Sequence, residues 1–136
     1  QAAIELEILA DTATDPAAYE FAVTADVIDQ RPVLRAIVED VRRCRPAADI
    51  AAGFHRAVAD ATTTVAATIG AAAAIDTVAL TGGVFQNALL TRLTRVGLQR
   101  HGFTVLTHTL VPPNDGGLCL GQAACALARV NEEGDG

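Results

Sequence analysis

A chain of 136 residues has room for one domain with a single core, and not for two domains of ordinary size. Apolar residues make up 51% of it and aromatics only 4%, so a compact globule here must be built from small aliphatic side chains and close helix packing. The formal charge of -6, with no dense run of Lys or Arg, argues against a nucleic-acid surface, and Asp11, Asp15, Arg42, Arg56, Asp60 and Asp76 interrupt every apolar stretch short of the roughly 18 to 20 residues of a membrane span.

The chain opens on Gln1 and contains no Met. It shows no basic stretch followed by an apolar one and a cleavage site, so the expectation is a segment that begins inside a longer polypeptide. Cys44, Cys119 and Cys125 are odd in number and form no Cys-x-x-Cys pair. Buried, reduced thiols in a cytoplasmic protein are the expectation.

Ala2 to Ala10 is rich in helix formers, with Ile4 and Ile8 four apart, although Ile4, Leu6 and Ile8 also alternate with Glu5 and Glu7 as a strand would. The end of a helix is the preferred reading. After a loop from Asp11 to Pro16, Tyr19 to Val23 alternates weakly as a strand and can pair with Val27 and Ile28 through a turn near Asp26. Pro32 suits the first turn of a helix with Leu34, Ile37, Val38 and Val41 on one face, ending before Pro46. From Asp49 the residues Ile50, Phe54, Val58, Ala61, Val65 and Ile69 recur in steps of three and four, which predicts the longest helix, with Gly70 as its stop.

Thr77 to Thr81 reads as a short strand broken by Gly82 and Gly83, and a helix follows with Phe85, Leu89, Leu93 and Val96 on its inner face. Gly102 closes that helix, and Phe103 to His108 gives a second strand. Strand, helix and strand of this length predict a right-handed parallel crossover. A last helix runs from Leu118 to about Val130, and Asn131 to Gly136 is a polar tail.

Two turns can carry chemistry. Gly82 and Gly83 stand where a parallel strand gives way to a helix, a place where the backbone can take positive φ and the helix terminus offers N–H groups to a phosphate. A tight turn explains two glycines equally well. Asn87, early in that helix, can orient a ribose or a base edge, or it is a solvated polar residue. Asp115, before Gly116 and Gly117, can bind a hard cation or cap the last helix, and the local pattern favours the cap. His55 lies beside the apolar stripe of the longest helix, where a structural histidine is the ordinary case. His101 and His108 have no helical partner four residues away that would suggest a zinc site, and no nucleophile elbow is present.

Taken together, Val78-Ala-Leu-Thr-Gly-Gly-Val-Phe-Gln-Asn87, Gly102-Phe103, Val111-Pro-Pro-Asn-Asp-Gly-Gly117 and Leu120-Gly-Gln-Ala123 resemble the C-terminal end of HypF-type carbamoyltransferases, and Gln1 to Glu7 and Phe54-His55 extend the likeness over nearly the whole chain. The resemblance implies an α/β fold, the second half of an actin-, Hsp70- and sugar-kinase-like (ASKHA) domain similar to the tRNA threonylcarbamoyl-adenosine transferases. Residues 1–136 would be one domain, the C-terminal portion of a larger carbamoyltransferase domain. It implies Gly82, Gly83 and Asn87 against a nucleotide, Asp115 as ligand to a divalent metal (zinc or iron), and no catalytic side chain here.

The implied reaction moves a carbamoyl group from ATP-derived carbamoyl-adenylate to the C-terminal cysteine of a HypE-type partner, toward the cyanide ligands of nickel-iron hydrogenase. The family's paired-histidine metal motif and adenylate-forming domains lie upstream of this segment, so the isolated chain is expected to be inactive and, with one face bare, to self-associate. Another carbamoyltransferase of the superfamily, acting on tRNA or a small-molecule hydroxyl, and a non-catalytic nucleotide-binding module are the alternatives.

Overall fold

A 27-residue helix forms the axis around which the other elements gather. The structure, a computed structural model, describes residues 2–24 and 27–134. In chain order they form α1 (Ala2–Ala10), β1 (Ala22–Val23), β2 (Ile28–Asp29), α2 (Arg31–Arg42), the axial α3 (Ala47–Ala73), β3 (Thr77–Leu80), α4 (Ala88–Arg100), β4 (Thr104–Thr107) and α5 (Leu118–Gly134). Single 3-10 turns at Gly83–Gln86 and Asp115–Gly117 precede α4 and α5. No described helix is long and apolar enough to cross a membrane.

Helix α3 is approached by α1, α2, α4 and β1. Its deepest positions are therefore not the predicted stripe, whose members Ile50, Phe54, Val58, Ala61 and Val65 are only half-buried while Ile69 is exposed, but the small residues between them, Ala51, Gly53, Ala57, Ala59 and Thr63. Small side chains admit a neighbouring backbone: a Cβ on Gly53 would collide with the Ala17 carbonyl, and one on Gly97 of α4 would stand 2.6 Å from Thr63 Oγ1. Gly70 does not end the helix. It is buried, with the Phe103 ring 2.6 Å from where its Cβ would be, and α3 continues to Ala73 before Ala74 turns left-handed at φ 53° and ψ 42°.

Strands β3 and β4 pair in parallel from Thr77↔Thr104 to Leu80↔Thr107, as the crossover predicts. Leu80, Leu98 and Phe103 form the core beneath them, and Phe85, Val78 and Val105 pack against it. Helix α4 buries Leu90, Thr94 and Leu98 rather than Leu89, Leu93 and Val96, which are half-buried. The polar Thr94 hides this face from an apolar-periodicity reading.

Near the start of the chain, buried Asp49 accepts the N–H groups of Thr14 and Asp15 on one carboxylate oxygen, each at 2.9 Å. The expected hairpin is present but short, with Ala22 opposite Asp29 and Val23 opposite Ile28; its turn near Asp26 lies outside the described residues. Residues Tyr19 to Phe21 are not strand, and Tyr19 instead donates its hydroxyl to Asp40 of α2 at 2.7 Å.

Two further expectations fail. Cys44, Cys119 and Cys125 are free but exposed, because Cys44 sits in a left-handed turn after α2 and the other two lie on α5. Helix α5 itself departs from a compact globule. It packs chiefly on the 3-10 turn before it, and every residue from Leu118 to Val130 is exposed. It also runs on to Gly134, into the segment read as a polar tail.

Candidate functional site

Two parallel strands ending side by side send both following loops from the same edge of the sheet, the usual place for a ligand in α/β architecture. The first of these loops is the Gly82 turn. Gly82 has φ 98° and ψ 159°, a conformation reserved to glycine, and its N–H donates to the carbonyl of Pro113 at 2.7 Å. Beside it, Thr81 Oγ1 and His108 Nε2 are hydrogen-bonded at 2.9 Å across the strand ends.

In the second loop Asn114, not Asp115, acts as the cap: its Oδ1 accepts from Gly116 N–H at 3.0 Å. The Asp115 side chain is left exposed and has no hydrogen-bond partner among the described residues. Gly117 allows the turn to fold back, since a Cβ there would stand 2.7 Å from the Pro112 carbonyl oxygen. Gly82, His108 and Asp115 consequently line one cavity of 550 Å³, which Cys125 of α5 also borders.

Gly83 faces elsewhere. With Asn87, His55, Phe54 and Glu7 it lines a second cavity of 550 Å³ between α1, α3 and the start of α4. The helix does not begin directly after the glycines as the sequence suggested; the 3-10 turn intervenes, and protein groups already occupy N–H groups of α4. Leu89 N–H donates to Glu7 Oε1 at 3.0 Å and Leu90 N–H to Asn87 Oδ1 at 2.7 Å. The N–H groups of Gly83 and Val84 meet no acceptor among the described residues. These two amides, rather than the terminus of α4, are what the loop offers an anion.

Asn87 is half-buried and heavily engaged. Its Oδ1 caps α4, and its Nδ2 donates to His55 Nε2 at 3.0 Å. His55, buried on α3, in turn donates from Nδ1 to the Ala51 carbonyl at 2.8 Å. His101, by contrast, is exposed at the C-terminal end of α4. Sequence reasoning missed the roles of Glu7 and of the His55–Asn87 pair, which join residues 82 and 32 positions apart; nothing in local pattern signals such contacts. Among the described residues no three His, Cys, Asp or Glu side chains converge as a metal site would require.

Comparison with known proteins shows the family of the chain. Residues 1–122 match the family model for the second subdomain of the carbamoyltransferase Kae1-like domain of HypF. The chain is 37% identical over 131 residues to the carbamoyltransferase HypF of Rhodobacter capsulatus, covering 96% of this chain and 16% of that protein. It is 38% identical over 95 residues to the HypF of Synechocystis, covering 70% of this chain and 12% of that one. Among solved structures, T. kodakarensis HypF superposes with a TM-score of 0.85 at 28% identity, over 97% of this chain and 17% of that chain. A full-length HypF in a phosphate- and nucleotide-bound form superposes with a TM-score of 0.81 at 39% identity, over 92% of this chain and 17% of that chain. This chain thus spans about a sixth or less of the proteins it matches here, and on these likenesses, which follow it almost from end to end, it belongs to the HypF carbamoyltransferase family.

Proposed function

We propose that this chain forms one wall of a cytoplasmic carbamoyltransferase site, the second half of an actin-, Hsp70- and sugar-kinase-like domain, which moves a carbamoyl group from carbamoyl-adenylate to the C-terminal cysteine of a HypE-type partner. The hydrogen bond from Gly82 to Pro113 carries this assignment. It ties the glycine turn to the Asn114-Asp115 turn, so that a bare carboxylate and a glycine-only backbone border one cavity. The likeness to a HypF solved in a phosphate- and nucleotide-bound form supports the same reading.

In that role the unaccepted N–H groups of Gly83 and Val84 bind phosphate oxygen, and Asn87 orients the nucleoside from the neighbouring cavity. The acceptor thiolate attacks the carbamoyl carbon; the bond to the phosphate oxygen breaks, and the adenylate leaves with the electron pair. Carbamoyl-adenylate is already activated, so the protein chiefly positions it, stabilises the leaving charge and excludes water. No nucleophile from this chain is required.

A divalent metal would supply Lewis acidity at the phosphate, but the residues present do not complete a site for it. Asp115 is a single carboxylate with no converging group of ligands among the described residues, and one carboxylate holds a cation weakly. Further ligands would have to come from elsewhere in a longer polypeptide. The test is Asp115→Ala in the full-length transferase, with the half-reactions assayed separately. Carbamoyl transfer is lost and adenylate formation retained; loss of both, or of neither, overturns the assignment.

A further inference from the structure

We infer that His55 is a positioning residue, whose neutral imidazole fixes the carboxamide of Asn87 for ligand binding in the cavity that both residues line. The inference rests on the proposed nucleotide role of Asn87.

Hydrogen-bond valence determines the whole chain of contacts. Leu90 N–H can only donate, so the atom of Asn87 that it meets at 2.7 Å is the carbonyl oxygen. The other end of the amide, Nδ2, must then be the donor in the 3.0 Å contact with His55. His55 Nε2 therefore accepts, which requires it to be unprotonated, and its proton lies on Nδ1, donated to the Ala51 carbonyl at 2.8 Å. Each link fixes the next, from the α3 backbone through the imidazole to the first turn of α4.

An asparagine side chain has two N–H donors and two oxygen lone pairs. In Asn87 one of each is taken, leaving one N–H and one lone pair for a ligand. Without His55 the amide would keep its cap contact but lose what holds its plane. Its remaining donor would then be free to reorient, and a ligand would have to order it on binding. His55 is itself buried, and its removal takes away the acceptor that Asn87 Nδ2 meets at 3.0 Å. A histidine kept only for packing would behave differently: its loss would lower the unfolding midpoint and leave the folded protein's affinity for nucleotide unchanged.

A double-mutant cycle on the full-length transferase tests this, measuring KM and kcat for carbamoyl-adenylate in the transfer half-reaction alone. The expected result is that His55→Phe and Asn87→Ala each raise KM about tenfold with kcat changed less than about threefold, and that the double variant is no worse than Asn87→Ala by more than about threefold. His55→Gln, which keeps a neutral acceptor within reach of Asn87, restores KM to within about threefold of the unmodified enzyme. If His55→Phe fails to fold, His55→Asn makes the same comparison, because it keeps a donor for Ala51 but falls short of Asn87. Independent, multiplicative effects of the two single variants, or unchanged KM in His55→Phe or His55→Asn, which lack the acceptor for Asn87, overturn the inference while leaving the nucleotide role of Asn87 intact. An Asn87→Ala enzyme with unchanged KM overturns that nucleotide role and, with it, the inference.

Discussion

The Glu7 carboxylate accepts the Leu89 N–H at 3.0 Å, so a side chain on α1 stabilises the first turn of a helix 82 residues later. A carboxylate at a helix N-terminus gains both a charge-assisted hydrogen bond and a favourable interaction with the helix dipole. Glu7 is half-buried and borders the cavity that Gly83 and Asn87 share. Replacing Glu7 with Ala is expected to lower stability by about 1 to 2 kcal/mol, and Glu7→Gln, which keeps the acceptor without the charge, by less. Urea unfolding of the two variants checks the order, and equal losses would show that the charge, and not the acceptor that Gln retains, carries the whole contribution.

The two glycines should separate on substitution. Gly82→Ala forces a Cβ onto φ 98° and ψ 159° and is expected to destabilise by about 1 to 3 kcal/mol, although no atom lies within 4 Å of that Cβ. Gly83 does not take a positive φ and has open space around it, so Gly83→Ala is expected to leave stability within about 0.5 kcal/mol. If a phosphate approaches the Gly83 N–H, the same substitution still weakens nucleotide binding. A Gly83→Ala protein of unchanged stability and unchanged nucleotide affinity would remove Gly83 from the site.

The crossover was legible because its signals are local. β-branched Thr77 and Val78 precede a glycine pair, Gly102 ends a helix, and alternation resumes at Phe103. What remained hidden depends on partners distant in sequence. Gly70 looks like a helix stop until the Phe103 ring is found where its Cβ would be. Asp115 looks like a cap until Asn114 is seen to take that place. On α2, Leu34, Val38 and Val41 follow a helical period yet are about half exposed, at 50%, 49% and 59%, because the residue that α2 buries is Val33. Periodicity identifies an apolar face but not what covers it.

Tyr19 gives the fold an alkaline limit. Burial, and then the hydrogen bond and negative charge of Asp40, push its pKa well above the ordinary 10.0. The folded state thus keeps the phenol neutral after the unfolded state has begun to ionise, and this contribution to stability is complete below pH 10.0 and declines as pH rises beyond it. Since Tyr19 is the single tyrosine, tyrosinate absorbance follows it directly. The folded chain should titrate later than the urea-unfolded chain, and coincident curves would show that Asp40 and burial do not act on the phenol.

The last expectation concerns the surfaces this chain leaves bare. Ile4 and Ile8 on α1 are 62% and 63% exposed, and Leu118, Leu120, Leu127 and Val130 on α5 lie between 56% and 64%. Apolar patches beyond a few hundred Å² rarely remain uncovered on a soluble monomer. This chain should therefore self-associate, and sedimentation over a range of concentrations would reveal it. Its grip on an adenylate should be weak in the same sample. One wall of a cleft offers two free amides and one asparagine, each a contribution on the order of 1 kcal/mol, while ordering a ligand costs several times that. An affinity no better than about 0.1 to 1 mM follows. Calorimetry with a non-hydrolysable adenylate measures it, and micromolar binding by a strict monomer would mean that these residues form a complete nucleotide site on their own.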